Sequence, residues 1–74
     1  MTKRKLPFAC SVLDTKPVEI KNRFTGEPVI IPPDAVAVYD TLMGAELVRD
    51  WKTHRLGLDW FIDNEPAAYM ILLD

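Results

Sequence analysis

Residues 18–39, VEIKNRFTGEPVIIPPDAVAVY, carry a strand period and a helix start within one short stretch. Val18-Glu19-Ile20-Lys21 alternates apolar and charged residues, the period of two that a half-buried strand requires, with Val18 and Ile20 turned inward. In the following Asn22-Arg23-Phe24-Thr25-Gly26-Glu27, Asn22 and Gly26 tolerate left-handed backbone angles and let the chain reverse. Val29-Ile30-Ile31 is then the return strand. Pro28 lacks an amide donor, which puts the strand's entry at an edge, and Pro32-Pro33 forbids its continuation. Asp34 is expected to cap a helix, its carboxylate accepting from free amides at the positive helix end. Ala35, Val38, Leu42 and Ala45 recur at spacings of three and four, widened by Tyr39 and Met43, and carry that helix to about Val48. Within it Gly44 costs about 1 kcal/mol relative to alanine, so it is expected to mark close packing or a bend.

Toward the C-terminus, a polar connection over residues 49–53 leads to a second helix, capped by Thr53 and running through Asn64. Leu56 with Trp60, Gly57 with Phe61 and Leu58 with Ile62 stand four apart, and Arg55, Asp59 and Asp63 supply a polar edge. A helix apolar on several sides is expected to be covered from more than one direction. Asn64 is read as the cap of a last element, with Pro66 in its first turn and Ala67–Leu73 as its body. Tyr69, Met70, Ile71, Leu72 and Leu73 are too apolar to dangle, and are expected to pack on the hairpin face of Val18, Ile20 and Ile30 or on a second copy. Toward the N-terminus, Pro7–Leu13 has the mixture of an added edge strand, and residues 1–6 read as a flexible charged start. Strands first and helices after make one small α+β domain over residues 1–74.

A chain of 74 residues buries only about 60% of the surface it exposes when unfolded, so its stability needs a supplement. Disulfides are not that supplement: Cys10 is the only cysteine, which also excludes a four-thiolate zinc site and points to a reducing, cytoplasmic compartment. The apolar fraction of 49% is high for so small a sphere, which makes self-association the expected source of the missing stability. A net charge of -2 argues against phosphate neutralisation along a nucleic acid, although Lys3, Arg4 and Lys5 form a local basic run. No apolar run approaches the ~20 residues that span a bilayer, and no secretory apolar region follows the basic start.

No residue pattern supports catalysis, a metal or a cofactor. His54 is the only histidine, so no zinc set is complete; Asp50, four residues earlier, has the spacing to orient its imidazole, but no nucleophile accompanies the pair. Cys10 reads as a small buried hydrophobe. Asp59 and Asp63, one turn apart, read as a solvated face rather than a cation site. Gly26, Gly44 and Gly57 are isolated, so no phosphate-cradling loop exists. The aromatic residues Trp51, Trp60, Phe61 and Tyr69 are the candidate interaction residues, with the core as the competing destination of Trp60 and Phe61.

Two resemblances follow from short blocks. "NRFTGE", "AVYD", "GLDWF" and "AYMILLD", between Asn22 and Asp74, resemble small proteins of tailed phages of marine cyanobacteria, for which no activity is assigned. That resemblance implies a phage accessory protein acting in a bacterial cytoplasm. Asn22, Thr25, Gly26, Glu27, Ile31, Pro32, Val36 and Tyr39 are spaced as in the DNA-binding arm of bacterial histone-like HU proteins. Arg23 stands where that arm has its wedging proline, Ala37 replaces a second proline, and the helical dimerisation region before the arm is missing. The implied alternative is a nucleic-acid contact through Lys21 and Arg23. The residues themselves favour a non-enzymatic module that binds a second copy or another protein, which the phage resemblance implies is a bacterial host protein.

Overall fold

The computed structural model describes residues 4–74, in which a two-stranded antiparallel hairpin packs with three helices. The elements are β1 (Val18–Lys21), β2 (Pro28–Ile31), α1 (Pro33–Leu47), α2 (Trp51–Asn64) and α3 (Pro66–Leu72). This is the α+β architecture expected from the order of the sequence signals. Val18 pairs with Ile31 and Ile20 with Val29, which puts these four side chains on one face. Ile30 pairs with Glu19 and lies on the outer face, 67% exposed, so the hairpin face against the helices is Val18, Ile20, Val29 and Ile31 rather than one containing Ile30.

The core is built around α1. Ala35, Val36, Ala37 and Val38 are buried in succession, which means that the first turns of α1 are covered all round. α2 is the amphipathic helix, burying Gly57, Trp60 and Phe61 and leaving residues on its other side exposed. The expectation of a second helix covered from several directions therefore applies to the first. The two helices pack on each other, α3 packs on α2, and α3 also meets β2. Leu72 and Ala68 are buried, with Tyr69, Ile71 and Leu73 half-buried and Met70 exposed. The last helix is thus docked on the hairpin and α2, as its composition required, with Met70 the exception on its outer side.

Helix starts differ from the sequence reading in detail. Pro32 occupies the cap of α1 and Pro33 its first helical position, where a missing amide costs nothing, so Asp34 lies inside the first turn. Asp50, not Thr53, caps α2: its carboxylate accepts from the Thr53 amide at 3.2 Å and from the Thr53 hydroxyl at 2.7 Å. Glu65, not Asn64, precedes Pro66 at the start of α3.

Among the described residues no third strand forms; Pro7–Leu13 is irregular, and Leu6, Phe8 and Cys10 turn into the helical core. Side chains drawn into the helices set the path of this segment, and Pro7 has no amide to give to a sheet edge. Of the charged start, residues 1–3 lie outside the described residues. Arg4 is tied rather than frayed. Its guanidinium donates to both Asp34 carboxylate oxygens at 2.8 and 2.7 Å, to Glu65 at 2.6 Å and to the Asn64 carbonyl at 3.2 Å, and lies over the Trp60 ring at 4.8 Å. Trp60 Nε1 donates to the Lys5 carbonyl at 2.8 Å. This strap holds the start of α1 to the junction of α2 and α3.

The Arg4 hydrogen bonds hold the Asp34 carboxyl below its ordinary pKa. A carboxyl with a depressed folded pKa stabilises above its unfolded value of about 3.9 and loses that contribution as pH falls through the lower folded value. The melting temperature of the wild type should therefore exceed that of Asp34→Asn at pH 6, and the difference should shrink as pH falls below about 4.

The glycines reverse the expectation placed on them. Gly44 has open space around it, whereas a methyl group on Gly57 would sit 2.8 Å from Leu42 Cβ and 2.9 Å from its Cδ2. Gly57 is what lets α2 approach α1. Gly44→Ala should raise stability by about 1 kcal/mol, some 4–8 °C in a domain of this size. Gly57→Ala should lower it despite the same gain in propensity, because overpacking costs about 1–3 kcal/mol; thermal melts of the two variants read the opposite signs.

Candidate functional site

A surface feature built on the hairpin tip starts at Asn22, which follows β1. Its side-chain oxygen accepts from the Phe24 amide at 2.6 Å and the Thr25 amide at 2.9 Å, an Asx turn that shapes the tip. Its Nδ2 donates to the Ile71 carbonyl at 2.7 Å, fixing the hairpin to α3. Asn22 therefore works through its side chain, and only Gly26 in the turn takes the left-handed angle, with φ 76°.

With the tip so fixed, Arg23 reaches back to Glu46 on α1 at 2.9 Å and lies 4.9 Å from the centre of the Phe24 ring. That hydrogen bond, more than any other influence, holds the Glu46 carboxyl below its usual range. Between tip and helices lies a cleft of about 190 Å³. Its apolar lining is Phe24, Met43, Leu58, Leu72 and Leu73, and its polar rim is Asn22, Arg23, Glu46, His54 and Asp74.

Two helical stripes continue the cleft outward. On α1, Leu47 stands one turn beyond Met43; on α2, Trp51 stands one turn before His54 and meets its ring edge-on at 5.5 Å. The corner between them exposes Leu47 at 85%, Val48 at 74% and Trp51 at 56%, and Phe24 across the cleft is 83% exposed. Backbone hydrogen bonds close the corner. Arg49 takes a left-handed φ of 60°, the Arg49 amide donates to the Glu46 carbonyl and the Asp50 amide to the Ala45 carbonyl, which closes α1 with a Schellman motif.

The structure divides the candidate interaction residues. Trp51 is on the surface beside the cleft; Trp60 and Phe61 are buried in the core, their rings 5.3 Å apart and edge-on; Tyr69 is half-buried on α3. Of the candidate nucleic-acid contacts, Lys21 is exposed and Arg23 is engaged by Glu46. Phe24, Leu47 and Val48 were missed as site residues. Their signal was present: each is a large apolar side chain in a turn or at a helix end, where no core face is available to it.

Asp50 spends its carboxylate on capping α2, Asp59 pairs with Arg55 at 3.2 Å, and burial raises the pKa of the Cys10 thiol, which disfavours its reactive thiolate. Among the described residues no three metal-ligating side chains come together, and no helix is long and apolar enough to cross a membrane. Comparison with protein families, curated proteins and solved structures found no match to the chain.

Proposed function

We propose that this chain is a non-enzymatic interaction module that binds protein through the cleft and its apolar flanks. The observation that carries this reading is the exposure of Phe24, Leu47, Val48 and Trp51 beside a cleft of mixed apolar and polar lining. Exposed aromatic side chains of this kind are the usual anchors of protein interfaces. Small-molecule pockets run to roughly 300–1,000 Å³, and a cleft of about 190 Å³ suits one protruding side chain better than a whole substrate. The rim carries both signs, and the Arg23 guanidinium is already matched by Glu46, an arrangement poorly suited to a phosphate backbone.

The lone Cys10 and the resemblance to cyanophage proteins extend the proposal to an accessory protein working in a bacterial cytoplasm. Retention on immobilised heparin or DNA tests the module against the nucleic-acid alternative. Protein binding predicts no salt-sensitive retention. Retention that collapses as salt rises, and that Lys21→Ala with Arg23→Ala abolishes, would replace protein by nucleic acid as the partner.

A further inference from the structure

We propose that Asp34, Trp60 and Glu65 form a binding site for an arginine-bearing peptide, and that the chain's own Arg4 fills it as an internal competitor. None of these residues lines the cleft, so this is a second site. It reads the shape and the charge of a guanidinium together. Arg4 Nε and Nη2 donate to the two Asp34 carboxylate oxygens at 2.8 and 2.7 Å, a parallel pair that a lysine ammonium does not match. Nη1 donates to Glu65 at 2.6 Å and to the Asn64 carbonyl at 3.2 Å, and the centre of the Trp60 ring lies 4.8 Å from the guanidinium carbon. Neighbouring contacts give the ligand its register. Trp60 Nε1 holds the carbonyl of the residue after the arginine, and Leu6 and Phe8 pack against the core. The matching ligand is an arginine followed at the second and fourth positions by large apolar side chains, as in Arg4-Lys5-Leu6-Pro7-Phe8.

Three features make the internal occupant displaceable. Every group that holds the guanidinium comes from α1, α2 or the residue joining α2 to α3, and none from the strap itself. The paired side chains stay within reach of solvent, Arg4 being 30% exposed, Asp34 25% and Glu65 22%. Residues 11–17, which join the strap to β1, are exposed throughout and belong to no helix or strand, so the strap lifts without unpairing the hairpin. A short flexible tether holds its ligand at an effective concentration on the order of millimolar, and that is the level an outside peptide has to exceed.

The probes are the acetylated, amidated peptide of residues 4–9 and the same peptide with lysine in place of its arginine. In a Trp51→Phe background Trp60 is the remaining tryptophan and reports on the site. Removing the competitor with Arg4→Ala should give saturable binding of the arginine peptide, at least about tenfold tighter than in the chain that keeps Arg4. The lysine peptide should bind at least about tenfold more weakly than the arginine peptide, and Glu65→Gln added to Arg4→Ala should weaken binding of the arginine peptide. A cooperative melt of Arg4→Ala establishes that it is folded. In that folded variant, a lack of saturable binding overturns the proposal, as does a lysine peptide that binds as tightly as the arginine one. Should Arg4→Ala not melt cooperatively, the wild type decides: millimolar arginine peptide should speed the labelling of Cys10 by a thiol reagent, because the lifted strap carries this half-buried side chain into water. A labelling rate that the arginine peptide does not raise then overturns the proposal.

Discussion

Phe61→Ala should remove a large share of the folding free energy at 25 °C. Phe61 is 0% exposed and meets Tyr39 edge-on at 6.4 Å and Trp60 at 5.3 Å, so its removal opens a cavity where α2 faces α1. Truncating a buried phenylalanine costs about 3–5 kcal/mol. At roughly 0.05–0.15 kcal/mol per residue, 74 residues provide about 4–11 kcal/mol in all, so the loss consumes from about a quarter to all of the total. Urea denaturation followed by circular dichroism measures this directly. Trp51→Ala is the matched control: a side chain on the surface should change the midpoint of the monomer by no more than about 0.5 kcal/mol. If the two variants melted alike, Phe61 would not be the centre of the core and Trp51 would not be free for a partner.

Deleting residues 70–74 should have an effect of similar size. Leu72 is 7% exposed, and loss of a buried leucine alone costs about 2–5 kcal/mol. The deletion also removes the Ile71 carbonyl that Asn22 Nδ2 binds and shortens α3 from seven residues to four, too few to hold a helix on the hairpin. The truncated chain should lose its cooperative thermal transition and expose apolar surface to a dye such as ANS. A truncated protein that melted cooperatively at the wild-type temperature would show that α3 is an appendage of the fold. Asn22→Ala separates the two contributions: it removes the tie and the Asx turn but keeps Leu72 in place, and should cost less.

The features that the sequence made legible were local ones. Alternation over Val18–Lys21 and the angle at Gly26 defined the hairpin, and the three- and four-residue spacings defined α1 and α2, because each signal is a property of a few neighbouring residues. Face assignment failed at Ile30, where Val29, Ile30 and Ile31 are all apolar and only pairing across the hairpin shows which two point inward. Interhelical distance was not legible either, so Gly44 drew the attention that belonged to Gly57. Periodicity names the buried face of a helix but not how closely its neighbour comes. The cleft was hidden because its parts come from the hairpin tip, α1, α2 and α3. Trp51 was the part of it that composition could flag, since a tryptophan between Asp50 and Lys52 has no apolar face of its own.

The Arg4 strap has a kinetic consequence. Its bonds to Asn64 and Glu65 span 60 and 61 positions, the longest loops that hydrogen bonds close among the described residues, and its bonds to Asp34 span 30. Such closures cost the most chain entropy, and the hairpin and the α1 to α2 packing are more local, so the strap should form after the folding transition state. Interactions that form late govern how fast the native state opens rather than how fast it is reached. Arg4→Ala should therefore steepen escape from the folded state while leaving the refolding limb of a chevron nearly unchanged, which makes the strap a latch on lifetime.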